Sequence, residues 1–120
     1  MRKSRIITFV GFGMALAALA FAGSFYGDGT VWPTSGYANS TLFTYAIAYD
    51  LSPGQNPPVA YVDIYRGSTY WESNMMAIAG IDSAVVYYFY TRTLPAGSDY
   101  AFGFHTVDDS TILTLGPTVQ

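Results

Sequence analysis

The chain has 120 residues, five basic and eight acidic side chains, no cysteine and eleven tyrosines, enough for one domain and too few for a second core. Arg2, Lys3 and Arg5 are three of the five cations, so beyond residue 22 two cations, Arg66 and Arg92, oppose eight carboxylates, a net charge of −6. That balance excludes a phosphate-binding surface for DNA or RNA, and the lack of cysteine excludes a disulfide framework, a thiolate zinc site and a thiol nucleophile.

The first five residues are positive and residues 6–22 form an uncharged run of 17. Together they have the layout of an export leader, with small residues at Ala20 and Ala22 for a peptidase that cuts after Ala22 and leaves 98 residues. Retained as a helix, the same run would span about 26 Å, at the short end of what a bilayer core requires. A third reading cuts within Val10-Gly11-Phe12-Gly13 and leaves an apolar helix to line a filament. Cleaved or retained as an anchor, the segment exports the remainder, so the expected location is extracellular or at the cell surface, with membrane contact only through this segment.

From Gly27 onward the pattern is short Val, Ile, Thr, Tyr and Phe runs broken by Gly, Pro, Asp and Ser, which predicts an all-β body of about seven strands. The first lies around Thr30-Val31-Trp32. The next, residues 41–49, sets Phe43, Tyr45, Ile47 and Tyr49 on one face and Leu42, Thr44, Ala46 and Ala48 on the other. A Pro- and Gly-bearing loop fills residues 50–58. Residues 59–66 resume the extended pattern, and Gly67-Ser68 closes a hairpin into residues 69–72. Residues 74–84 have too short and too interrupted a pattern for an assignment. Strands follow at residues 85–93, 100–107 and 111–115, separated by the turns at residues 94–99 and Asp108-Asp109-Ser110.

The opening Gly29-Thr30-Val31-Trp32-Pro33-Thr34-Ser35-Gly36, the strand Thr41-Leu42-Phe43-Thr44-Tyr45-Ala46-Ile47-Ala48-Tyr49-Asp50, the segment Val62-Asp63-Ile64-Tyr65-Arg66-Gly67, and the series Tyr88, Tyr90, Leu94, Gly97, Tyr100, Phe102, Phe104 and Asp108 carry a likeness. Over residues 29–109 the chain resembles the immunoglobulin-like or fibronectin-III-like modules of exported bacterial and archaeal surface proteins. That resemblance implies an antiparallel β-sandwich over residues 23–120, preceded by the leader at residues 1–22, and a role as a spacer, adhesive unit or polymer subunit. The chain departs from the family where Asp50 is the single carboxylate of a loop that is often acidic and able to take calcium, and where Arg66 precedes Gly67 in place of the usual Asp.

Residue chemistry points away from catalysis and from any metal or cofactor. His105 is the one histidine, on the face of its strand opposite Phe102 and Phe104, where an isolated imidazole is most often a surface group. Asp108-Asp109 reads as a turn whose carboxylates bond the backbone. Asp63, Arg66 and Glu72 are placed to pair across a hairpin. Asn39-Ser40-Thr41 has the acceptor spacing for N-glycosylation.

Aromatic residues carry the strongest signal. In Val85-Val86-Tyr87-Tyr88-Phe89-Tyr90 both strand faces are apolar, so Val86, Tyr88 and Tyr90 turn inward while Tyr87 and Phe89 turn outward. If the strands are neighbours, Tyr61, Tyr65, Tyr87 and Phe89 make one outward band, a surface that a monomer seldom leaves bare. The expected function is therefore a non-catalytic structural or adhesive subunit that self-associates into an oligomer or polymer through strand edges and aromatic surfaces, with residues 23–31 able to complete a neighbour's sheet. The alternatives are a carbohydrate-binding module with Trp32, Trp71 or the tyrosine band as its stacking platform, and a filament subunit that keeps its apolar helix.

Overall fold

A computed structural model describes residues 22–120. Of the leader alternatives, all but Ala22 falls outside these residues. The described chain is all strand and connection, in the order β1 (Ser24–Trp32), β2 (Ser35–Gly36), β3 (Phe43–Asp50), β4 (Tyr61–Arg66), β5 (Thr69–Met75), β6 (Ala77–Asp82), β7 (Val85–Arg92), β8 (Tyr100–His105), β9 (Thr114–Leu115) and β10 (Thr118–Val119). Eight of these form two antiparallel four-stranded sheets, ordered β1-β3-β7-β6 (sheet I) and β5-β4-β8-β9 (sheet II). The remaining two, β2 and β10, make a short parallel pair.

The alternation in β3 sets the packing. Phe43, Tyr45, Ile47 and Tyr49 are buried while the residues between them are half-buried. From sheet I, Phe25, Val31, Val86 and Tyr88 join them, and from sheet II Val62, Ile64, Tyr100, Phe102 and Phe104 complete one core. Rings cross between the sheets: Tyr45 meets Phe102 edge-on at 5.4 Å, and Phe25 meets Phe104 at 6.4 Å. Burying each such side chain contributes about 1.5–3 kcal/mol. Two sheets sharing one core in this way are compatible with a β-sandwich.

The structure alters the strand assignments in three places. β1 begins at Ser24, six residues before the expected start, because a bulge between Tyr26 and Thr30 lets it continue along β3. Gly29 makes that bulge possible, since its φ of +80° suits glycine, and a side chain there would run into the Phe104 ring and the Ala46 carbonyl. With Phe25 and Val31 in the core, residues 24–32 complete the chain's own sheet rather than a neighbour's.

The second change is that the unassigned stretch supplies β6. Its alternation is hidden by a bulge between Ile78 and Gly80, which places Ile78 opposite Tyr88 and Ile81 opposite Val86 on the core-side face. The β6–β7 turn is Ser83-Ala84, both at positive φ (52° and 70°), the mirror-image turn whose twist suits a two-residue hairpin. Third, the last strand shortens to β9, and β10 then runs back beside Ser35–Gly36.

Candidate interaction surfaces

Sheet topology divides the expected aromatic band. Tyr61 and Tyr65 sit on β4 in sheet II, whereas Tyr87 and Phe89 sit on β7 in sheet I. Each pair does turn away from the core, but the four rings face opposite sides of the molecule. The parity was local and correct. The adjacency on which a single band depends is not met, because the chain passes from β5 in sheet II to β6 in sheet I before forming β7.

On the outer side of sheet I, register builds a trough. Tyr26, Ala48 and Tyr87 share one cross-strand row, and Thr30, Ala46, Phe89 and Ala77 share the next but one. The alanines of β3 form the floor, and the rings of β1 and β7 rise on either side. Walls one strand apart stand about 10 Å from each other. Tyr26 is 70% exposed, Tyr87 45%, and Trp32, at the far end of β1, 72%. The lining carries one carboxylate, Asp50, at one end.

The trough continues toward β6, which no strand covers on its far edge. Ala77, Ile78, Ala79 and Ile81 are all exposed, and the run is uncharged until Asp82. Sequence reading missed this strand. The available signal was the paired isoleucines, which fall out of step until the bulge is known.

The outer side of sheet II is organised differently. His105 Nδ1–H donates to Asp63 Oδ2 at 2.6 Å, and Ser73 Oγ–H donates to Asp63 Oδ1 at 2.7 Å. Tyr61 stacks on the His105 ring at 5.0 Å, and Tyr65 meets Tyr70 edge-on at 5.5 Å. These contacts follow from the register Tyr61↔His105 and Asp63↔Ser73. Serine, aspartate and histidine are all present, but the hydroxyl bonds the carboxylate rather than the imidazole, so this arrangement gives the ring no nucleophile to activate.

The expected Asp63, Arg66 and Glu72 grouping does not form, because Asp63 is taken by Ser73 and His105. Glu72 instead pairs with Arg92, and Arg66 donates to the Ala96 carbonyl at 3.0 Å. Both guanidinium groups lie over the ring of Trp71, at 5.7 Å for Arg66 and 4.9 Å for Arg92, and Tyr100 packs against it at 5.9 Å. Trp71 is thus half-buried against the core and engaged by cations, unlike an open stacking platform. Trp32 keeps its exposure. Asn39 stands exposed on a turn at φ 58°, its N–H donating to the Leu94 carbonyl.

Two buried polar features fix the frame. Asp109, 4% exposed, accepts from the Phe25 N–H and the Ser110 N–H at 2.9 Å each, so the turn before β9 holds the start of β1. Burial also pushes up the hydroxyls of four tyrosines, Tyr88 to about 12 and Tyr45, Tyr49 and Tyr100 above their ordinary value. Arg92 partly opposes the shift at Tyr45 and Arg66 that at Tyr100. Among the described residues the Tyr45 hydroxyl has no hydrogen-bond partner, and no group of three or more metal-ligating side chains is assembled. No protein-family model and no curated protein matches this chain.

Proposed function

We propose that the chain is a non-catalytic structural or adhesive subunit of the extracellular space or cell surface, which assembles with copies of itself into an oligomer or polymer. Its body is read as an immunoglobulin-like, fibronectin-III-like sandwich; the strand orders β1-β3-β7-β6 and β5-β4-β8-β9 support this. The observation that carries the function is the outer side of sheet I, where Tyr26 and Trp32 on β1 and Tyr87 on β7 stand exposed and the far edge at β6 is apolar and bare. A patch of this kind marks a partner. Sedimentation velocity over a range of concentrations, with electron microscopy of the same full-length material, tests it. Assemblies are expected, and Tyr87→Lys should weaken them while the circular dichroism stays that of the parent. A monomer at every concentration would overturn the reading.

A second reading is a neutral glycan lying in the trough. It is favoured by aromatic walls about 10 Å apart over an alanine floor, since the C–H faces of sugars stack on such rings. A glycan array with the parent and Tyr26→Ala separates the two: this reading requires signal that the substitution abolishes.

A further inference from the structure

A β-sheet exposes backbone donors and acceptors along its edges, and proteins blunt them with charge, proline, bulges or shortness. Three of the four edges here are protected in that way. β1 is broken by its bulge between Tyr26 and Thr30, with Asp28 inside it. β9 has two residues. β5 carries Glu72 and a register shift against β4. The fourth, β6, has no charge from Ala77 to Ile81 and no proline.

β6 does contain a bulge, at Ala79, and its effect is unusual. It brings Ile78 and Ile81 onto the same core-side face, where both lie at the rim of the sheet, 45% and 55% exposed. Consider β6 aligned antiparallel with a second β6 over its full length. Ile78 then opposes the second copy's Ile81 and Ile81 opposes its Ile78, two apolar pairs about one dyad. Each Asp82 falls opposite an alanine, Ala77. A parallel in-register alignment instead sets Asp82 against Asp82, a like-charge contact that destabilises a strand pair.

We infer that two copies of this chain join through their β6 edges, antiparallel and two-fold symmetric, to give one continuous eight-stranded sheet. The inference rests on the proposed self-assembly and names its joint. A two-fold contact of this kind is closed, using the same strand on both partners. It leaves the trough of each copy open on the same side of the joined sheet for further association.

The chain has no cysteine, so full-length single-cysteine variants report the joint directly. In the antiparallel pairing Ile78 and its own copy are offset by three residues, about 10 Å, too far for a disulfide, whereas Ile78 and the second copy's Ile81 are within bonding range. Under mild oxidation I78C alone and I81C alone should therefore stay uncrosslinked, while their mixture forms a covalent heterodimer. A79K, which puts a charge on the edge, should abolish the dimer with the circular dichroism of the parent retained. Crosslinking of either single variant with itself would overturn the antiparallel joint. So would a mixture that fails to crosslink although sedimentation still finds assemblies, a result that leaves self-assembly standing and moves the contact elsewhere, with Y87C reporting the outer side of sheet I. A parent that is monomeric throughout would overturn both the joint and the assembly.

Discussion

The two sheets share a core and an inward pattern, yet their outer sides solve the problem of exposed side chains in opposite ways. On sheet II a polar and aromatic cluster satisfies itself, with Asp63 holding Ser73 and His105, Tyr61 lying on His105 and Tyr65 leaning on Tyr70, while Met75 and Leu115 stay exposed around it. On sheet I the outward rings of Tyr26 and Tyr87 stand over alanines too small to cover them. Contacts spent inside that cluster are not available to a partner. Rings standing over small residues leave apolar area in water, and the proposed assembly rests on that feature.

The most severe way to break this contrast is to remove the wall that β1 contributes. Gly29→Ala puts a side chain at positive φ and into the Phe104 ring, and should destabilise the fold by about 3–5 kcal/mol, read as a lowered denaturation midpoint. Alkali attacks both sheets through their shared interior. Tyr45, Tyr49, Tyr88 and Tyr100 hold their protons more tightly when folded, so the unfolded chain loses its protons first as pH climbs past about 10. Their contribution is fully present below that pH and is lost as pH rises toward the folded value, about 12 for Tyr88. Each such tyrosine adds a slope of up to about 1.4 kcal/mol per pH unit. Denaturant melts between neutral pH and pH 11 should show stability falling only above about 10.

Asp109→Ala leaves the Phe25 and Ser110 amides without the carboxylate and should cost about 2 kcal/mol, with faster hydrogen exchange at Phe25. Relief is expected at the β6–β7 turn, where Ala84→Gly removes the penalty of a methyl group at φ 70° and should raise stability by about 1 kcal/mol in the same melts. The smallest effect sharpens the contrast most. Asp63→Asn disturbs a partly exposed pair worth about 1 kcal/mol or less, and assembly measured by sedimentation should be unchanged, whereas Tyr87→Lys should reverse that outcome, altering assembly and sparing stability.

Much of the fold was legible because inward and outward parity is a local property. The burial of Phe43, Tyr45, Ile47 and Tyr49, of Val62 and Ile64, and of Val86 and Tyr88 follows from a period of two. Which strands share a sheet is not local. Nothing near Tyr61 or Tyr87 records that β5 and β6 lie in different sheets, and so one expected surface became two. The same limit hid the Asp63–His105 contact, since both residues face outward by parity but their meeting depends on the register between β4 and β8. β6 was lost to a bulge, which shifts the alternation by one residue and makes a strand read as irregular.

The Ser83-Ala84 turn has a further consequence. Two residues with side chains are held where glycine is preferred, and outside the hairpin the Ala84 carbonyl is gripped by the Leu51 amide. The strain is local, and the Leu51 bond ties the tip of this outermost hairpin to the segment that leaves β3, so the loop after β3 and the β6–β7 turn hold each other in place.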